Sequence, residues 1–185
     1  MTVDEWEGDD YQARFDRLAA TGVDVHGEAT FVRAYAPTTV LDAGCGTGRV
    51  AIELAGHDID VIGVDVDTSM LATARRRAPD LAWVESDLAA LDLGRTFDIV
   101  LLAGNVPLFT PAGTHAALAA GVARHVSEGG RLIAGFSLDR GYGIDDWDAH
   151  TAAAGLVLAE RFATWDRERW VSGGSYAVSV HQLRA

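Results

Sequence analysis

The segment at residues 40–55, VLDAGCGTGRVAIELA, restricts the fold of this chain more than any other stretch of its sequence. A short apolar run leads into a loop that contains Gly44, Gly46 and Gly48, and helix-forming residues follow the loop. This order predicts a buried strand, a tight loop and a helix, the unit from which parallel α/β sheets are built. Glycines at the carboxyl end of such a strand let a ligand contact the main chain. Asp42 adds a carboxylate beside that loop.

Strand and helix patterns alternate through the first two thirds of the chain. The segments VIGV and FDIVLL are almost continuously apolar, which is typical of parallel strands covered by helices on both faces. Two short helices, the first starting at Asp10, are predicted ahead of the first strand. The pattern then predicts strands at 39–43, 59–64, 81–84 and 97–102, and helices at 47–55, 67–78 and 112–127.

The last third of the chain predicts three further strands, at 131–136, 156–165 and 176–183. The last two lie too close in sequence for a helical crossover, which needs roughly a dozen residues or more, so we expect an antiparallel hairpin at the sheet edge. The predicted fold class is therefore α/β. It is a Rossmann-like, seven-stranded, mostly parallel sheet with helices on both faces and a C-terminal antiparallel hairpin strand.

Composition limits the class of protein and its partners. With 185 residues the chain fits a single domain, 1–185, and no apolar run approaches the roughly 18 residues that a membrane span requires. No membrane partner is expected for that reason, and the formal net charge of −12 makes nucleic acid an unexpected partner. All 15 basic residues are arginine, which excludes a lysine as a catalytic base or Schiff-base former. An acidic N-terminus and a single cysteine, Cys45, predict a cytoplasmic protein. No sequence pattern indicates an oligomeric state.

Three acids follow three successive predicted strands and indicate what the loop binds. The loop reads GxGxG after Asp42, whereas dinucleotide-binding loops read GxGxxG, and a carboxylate at this position repels a pyrophosphate. Asp65 ends the second strand, 21 residues after Gly44, where an acid usually binds two ribose hydroxyls. Asp87 follows the third strand and could accept a hydrogen bond from an exocyclic amine such as that of adenine. These acids predict an adenosine that carries positive charge.

The motifs resemble those of the class I S-adenosylmethionine-dependent methyltransferase family. LDAGCGTG resembles the family's first motif, VIGVDVDTSML its second-strand motif and ESDLAAL its adenine-binding motif, in order and spacing over residues 38–105. The resemblance implies S-adenosyl-L-methionine as the cofactor, S-adenosyl-L-homocysteine as the product and methyl transfer as the reaction. Ser86 departs from the glycine of many relatives. The segment AGNVPLF matches the Asn-Pro-Pro-aromatic motif of amino methyltransferases too loosely to imply an amine or nucleobase substrate.

The resemblance also implies cofactor contacts, position by position. Asp42 and the loop backbone would hold the methionine part, and Asp65 would hold the ribose. The end of the fourth strand lies where the family has groups near the reactive methyl, and an N-terminal helical lid at 1–35 would cover the cofactor. The implied cofactor-binding residues are Tyr11, Asp42, Gly44, Cys45, Gly46, Asp65, Val66, Met70, Asp87, Leu88, Ala103 and Asn105.

The acceptor side of the site carries fewer signals. We expect a small-molecule acceptor, because only two short segments remain to form its pocket. No catalytic residue is assigned, although His115 and His150 are candidates for a general base. His57 and His181 are expected at the surface, and no two histidines have metal-ligand spacing, so no metal is expected.

Three other functions fit parts of the sequence. A nicotinamide-dependent oxidoreductase shares the first strand–helix–strand unit, although it should lack Asp42 and contain GxGxxG. An aminopropyl transferase has the same fold, and an acidic cavity would suit its polyamine substrate. A non-catalytic domain would only sense the cofactor or scaffold a partner, and it would need no acceptor-side residues. Cofactor titration and product analysis distinguish these possibilities.

Overall fold

The structure, a computed structural model, describes residues 8–21 and 25–184. No helix in these ranges is long and apolar enough to cross a membrane. The strands are β1 Thr39–Ala43, β2 Asp60–Asp65, β3 Ala82–Glu85, β4 Phe97–Leu102, β5 Val126–Ser137, β6 Leu156–Phe162 and β7 Tyr176–Leu183. The helices are α1 Gly8–Ala20, α2 Gly27–Arg33, α3 Arg49–Ala55, α4 Thr68–Arg77, α5 Val106–Phe109, α6 His115–Ala123 and α7 Ile144–Ala153.

The strands form one seven-stranded sheet in the order β3-β2-β1-β4-β5-β7-β6. Neighbouring strands from β3 to β5 are parallel, whereas β7 runs antiparallel to both β5 and β6. This arrangement confirms the predicted fold class, including the C-terminal antiparallel hairpin. After β3 the chain crosses to the other side of β1 to form β4. The connections that follow β1 and β4 therefore diverge, and such a point is where open α/β sheets bind ligands.

Side chains of β1 alternate between the two faces of the sheet, and each face has its own apolar core. Val40 packs with α2 and α3 in a cluster that includes Phe31 and Leu54. Leu41 lies on the opposite face, in the cluster that also holds Trp147 of α7. Asp42 therefore points toward the face that α3 covers. The two-sided cover explains why the strand segments are apolar almost throughout.

The predicted helix at 112–127 is wrong at both ends. The helix in that range is the shorter α6, and β5 begins at Val126 rather than Arg131. The short helix α5 precedes the range and was not predicted. Pairing of Val126 with Phe97 extends the strand, so a tertiary contact overrides the local helical pattern. Helix α7 was not predicted from the sequence, and its Trp147 is fully buried against the sheet.

The two N-terminal helices are anchored in different ways. In α2, Phe31 is buried and its ring meets those of Phe162 and Trp165 edge-on, so this helix belongs to the core. In α1, the backbone N–H of Gly8 donates to Ser69 Oγ at 2.9 Å, which attaches the helix to α4. The side chain of Tyr11 lies outside the described part of the chain, so its role over the cofactor stays a prediction.

The prediction that His181 lies at the surface is wrong, because β7 carries it beneath α7 with 1% of its surface exposed. Among the described residues, neither ring nitrogen has a hydrogen-bond partner, and Nε2 lies 3.6 Å from Asp148 Oδ1. Burial lowers the pKa of His181 to about 4, against the opposing effect of the Asp148 carboxylate. The imidazole is therefore neutral in the folded protein.

This burial predicts how stability depends on pH. The unfolded chain takes up a proton at His181 near pH 6.5 and the folded chain only near pH 4, so stability falls as pH decreases across that range. Urea unfolding at pH 7 and pH 4.5 measures how far the free energy of unfolding falls between these pH values. In His181→Leu this fall should be smaller by about 1 to 3 kcal/mol. His57→Leu, at an exposed position, serves as the control. An unchanged pH dependence in the His181 variant would contradict the prediction.

Candidate cofactor and acceptor site

Three carboxylates occupy one edge of the sheet. Asp42 lies near the carboxyl end of β1, Asp65 is the last residue of β2, and Asp87 follows β3 by two residues. These strands are parallel neighbours, so their carboxyl ends lie along the same edge. The structure thus brings together the three acids that the sequence analysis selected.

The three loop glycines all have positive φ angles, of 85°, 53° and 78° for Gly44, Gly46 and Gly48. Their surroundings differ. A Cβ on Gly44 would stand 2.4 Å from Val106 Cγ2, and one on Gly48 would stand 2.3 Å from Trp83 Cη2. At Gly46 no described atom lies within 4 Å of that position. Two glycines therefore accommodate neighbouring side chains, and Gly46 leaves main chain open to a ligand.

Asp65 links the loop to the second strand. Its Oδ2 accepts a hydrogen bond from the Gly46 N–H at 2.7 Å, and its Oδ1 accepts one from the Asp67 N–H at 2.9 Å. Burial raises the pKa of Asp65, and these backbone donors oppose the shift. Each carboxylate oxygen keeps lone-pair capacity for a further donor, such as a ribose hydroxyl.

Asp67, rather than Asp65, caps helix α4. Its Oδ1 accepts hydrogen bonds from the backbone N–H groups of Ser69 and Met70 at 2.8 and 3.1 Å. Because Asp67 serves the helix, the carboxylate of Asp65 remains at the ligand-facing edge.

Asp42 acts from beneath the loop rather than from its surface. It is 2% exposed, and its Oδ2 accepts a hydrogen bond from the Ala51 N–H in the first turn of α3 at 3.1 Å. Burial raises the pKa of Asp42 to about 7, and the guanidinium of Arg49 opposes this shift. Asp42 can therefore attract a cationic ligand only from behind the loop, without direct contact. Such attraction requires the ionised form of Asp42, which burial disfavours.

The residues predicted to contact adenine differ in exposure. Val66 is 69% exposed, Met70 is half-buried and Leu88 is buried. The Asp87 side chain is exposed, and its Oδ1 accepts a hydrogen bond from the Ala89 N–H at 2.9 Å. Apolar surface next to a carboxylate suits a flat, amino-bearing ring.

The remaining predicted contacts lie between the loop and the end of β4. Cys45 is buried, and burial raises the pKa of its thiol, so it serves as a small packing residue rather than a nucleophile. Ala103 is buried at the end of β4. Asn105 has a φ of 67°, and its Oδ1 accepts a hydrogen bond from the Ser137 N–H at 2.8 Å. That bond fixes the orientation of the Asn105 amide at the strand end.

Two contacts to the loop region were not predicted. Arg49, next to the last loop glycine, forms a two-bond ion pair with Glu28 of α2, at 2.6 and 3.0 Å. In α1, Gln12 Oε1 accepts a hydrogen bond from Thr47 Oγ1 at 2.7 Å, and both side chains are buried. Partners 21 and 35 residues apart share no local pattern, so no sequence signal connects them.

The two histidines considered as general bases lie together. His115 begins α6, His150 lies in α7, and the ring of Tyr142 contacts both. Within residues 8–21 and 25–184, no three metal-ligating side chains are grouped so that they could hold a metal ion.

The chain is similar to known methyltransferases in sequence and in structure. The family model described as "Methyltransferase domain" matches residues 40–130. A solved TehB-like SAM-dependent methyltransferase from Corynebacterium glutamicum is 33% identical, with a TM-score of 0.90, and the match covers 96% of this chain and 98% of that one.

Two curated relatives match a smaller region. A demethylmenaquinone methyltransferase from Beutenbergia cavernae is 36% identical over 95 residues, which is 51% of this chain and 38% of the relative. A dTDP-3-amino-3,6-dideoxy-alpha-D-glucopyranose N,N-dimethyltransferase from Streptomyces fradiae is 39% identical over 85 residues, which is 43% of this chain and 33% of the relative. The chain thus spans between a third and two fifths of the length of these relatives.

The different surroundings of the loop glycines predict different costs of substitution. Gly46→Ala should lower stability by only about 1 kcal/mol, the cost of a left-handed backbone for alanine. Gly48→Ala adds a clash with the Trp83 ring and should lower stability by at least about 2 kcal/mol. Urea unfolding of the two variants measures the difference, and equal losses would contradict the assignment.

The buried charge of Asp42 predicts a stabilising substitution. The folded chain holds a proton on Asp42 up to about pH 7 and the unfolded chain only to about pH 4, so stability is lost as pH rises between them. Asp42→Asn keeps an oxygen for the Ala51 N–H and removes the charge. It should raise the free energy of unfolding by about 1 to 3 kcal/mol at pH 8 and change it little at pH 4.5. A variant that is less stable at pH 8 would refute this account.

Proposed function

The chain belongs to the class I S-adenosylmethionine-dependent methyltransferase family, and from that premise we propose that it methylates a small-molecule acceptor. The observation that carries the proposal is the edge formed by the uncovered backbone of Gly46 and the carboxylate of Asp65. An adenosyl ligand needs both close main-chain contact and an acid for its ribose.

We assign the cofactor contacts as follows. The loop backbone at Gly44–Gly46 holds the methionine part, with the carboxyl group of Asp42 beneath it and the end of β4 beside it. Asp65 binds the ribose hydroxyls, while its existing bonds to two backbone N–H groups keep the carboxylate oriented. The residues Val66, Met70, Asp87 and Leu88 bind the adenine.

When bound, S-adenosylmethionine supplies a methyl group that its positively charged sulfur already activates. The contribution of the protein is then mainly to hold the acceptor in line with that methyl. Such positioning can be worth up to about 7 to 11 kcal/mol. This accounts for a site in which no catalytic triad is needed.

The N-terminal segment at 1–35 acts as a lid in this proposal. The buried Gln12–Thr47 hydrogen bond and the Arg49–Glu28 ion pair attach α1 and α2 to the glycine loop and to α3. A cover formed by two short helices suits a small molecule as the acceptor better than a protein or RNA. The net charge of −12 argues against nucleic acid and anionic membranes as partners, and the single cysteine agrees with a cytoplasmic location.

The family relationship favours methyl transfer over hydride transfer to nicotinamide and over aminopropyl transfer. A non-catalytic domain that only binds the cofactor is distinguished by assay. The purified protein is incubated with methyl-labelled S-adenosylmethionine and a panel that contains a quinol, an amino sugar nucleotide and a small carboxylic acid. Labelled product from any of them supports the proposal. Tight cofactor binding without turnover across the panel and a broader set of nucleophiles favours the non-catalytic alternative.

The ribose contact predicts a loss of affinity at Asp65. Asp65→Ala removes charge-assisted hydrogen bonds and should weaken binding of S-adenosylhomocysteine by roughly 1.5 to 3 kcal/mol in calorimetry, a factor of about ten to a hundred. Asp67→Ala is the matched control, since it removes only the α4 cap. It should lower stability by about 1 kcal/mol with affinity nearly unchanged. Equal affinity of the Asp65 variant and the native protein would refute the assignment.

A further inference from the structure

A group of three parallel rings lies next to the predicted acceptor side. The ring of His115 stacks on that of Tyr142 with centroids 4.0 Å apart and planes inclined by 13°. The Tyr142 hydroxyl lies 2.7 Å from Nδ1 of His150, and the planes of these two rings are inclined by only 8°. Three titratable side chains thus come from α6, α7 and the loop between β5 and α7.

The proton position on His115 follows from its hydrogen bond. Nε2 lies 3.1 Å from the backbone carbonyl oxygen of Pro107. A carbonyl only accepts hydrogen bonds, so Nε2 carries the proton and Nδ1 of the neutral ring has a lone pair. Within the described part of the chain, no residue forms a hydrogen bond with Nδ1, and Nδ1 is not enclosed by protein. The ring is therefore fixed by Pro107 and Tyr142, with its basic nitrogen accessible.

Helix α5 connects His115 to the glycine loop. Val106, its first residue, packs so closely on Gly44 that a Cβ there would meet it at 2.4 Å. Pro107 follows directly and accepts the hydrogen bond from His115. The imidazole is thus separated from the loop that would hold the methionine part by a single turn of chain. It follows the carboxyl end of β4 in the chain, at the start of the helix that leads to β5.

His150 is less suited than His115 to act as a base. Burial raises the pKa of Tyr142, and the carboxylates of Asp146 and Asp148 add to the shift, so the phenol stays protonated. It therefore donates its hydrogen bond to Nδ1 of His150 and occupies that nitrogen. Tyr142 is 7% exposed and stacks against one face of the His115 ring, so it acts as a positioning residue.

We propose that Nδ1 of His115 accepts the proton that the acceptor loses during methyl transfer, an inference that rests on the proposed function. A lone pair of the acceptor's oxygen or nitrogen forms the bond to the methyl carbon. The electron pair of the broken carbon–sulfur bond remains on sulfur, which becomes a neutral thioether. The acceptor's proton moves to Nδ1 as the bond to a hydroxyl oxygen forms, or before it forms in the case of an ammonium group, whose nitrogen gains its lone pair only on losing that proton. The resulting imidazolium later releases the proton to solvent. The acceptor class is a small molecule with an ionisable hydroxyl or ammonium group.

The test uses two ligands that differ in charge at the reacting position. S-adenosylhomocysteine is neutral at sulfur, whereas sinefungin carries an ammonium group where the methyl would be. A positive charge within about 6 Å of His115 should lower the pH at which the ring takes up a proton by at least roughly half a unit in the sinefungin complex. The pH midpoint of each histidine is followed by NMR in both complexes. His57, exposed at the end of α3, is the internal control and should not change.

The proposal would be overturned if the pH midpoint of His115 did not differ between the two complexes, or differed less than that of His150. If both ligands bind in calorimetry, the proposed function would remain intact. Failure of both ligands to bind would instead overturn the proposed function itself, and this inference with it. With an acceptor found in the panel, His115→Gln should lower kcat by roughly 10²-fold or more and leave S-adenosylhomocysteine affinity unchanged. A kcat within threefold of the native value would also overturn the proposal.

Discussion

The hydrogen bond from the Gly46 N–H to the Asp65 carboxylate is the contact on which the candidate site depends. It connects the loop after β1 to the end of β2, two segments that helix α3 separates in the sequence. The same carboxylate accepts the Asp67 N–H, and Asp67 in turn caps α4. A single acid therefore fixes the loop, the second strand and the next helix relative to one another. A ligand that binds this edge meets groups that are already oriented, so little ordering cost remains.

Much of this arrangement could be predicted because it is local. The loop, the strand that precedes it and the acid that ends β2 are encoded by residues close in sequence, and parallel pairing brings their ends together. The glycine pattern alone does not distinguish Gly46, which faces open space, from Gly48, which accommodates Trp83. That difference depends on a side chain more than thirty positions away.

The parts that could not be predicted depend on tertiary contacts. Val126 joins β5 because Phe97 pairs with it, and α7 forms because the sheet buries Trp147. The surface prediction for His181 was wrong because β7 lies inside the sheet between β5 and β6, where its side chains are covered on the face of α7. The depth of Asp42 has the same origin, since α3 closes over it. An alternating strand pattern does not specify which helix covers a given face.

The position of β7 also has a consequence for how the protein is made. The long edge of β5 pairs with residues 176–183, which leave the ribosome only after the intervening forty or so residues have been synthesised. Until then β5 exposes unpaired backbone groups, and β6 has no neighbour at all. The nascent chain therefore passes through a stage in which five of the seven strands can pair with one another, while β6 and the free edge of β5 are prone to pair with other chains. Chaperone demand during translation is expected to be concentrated in that interval.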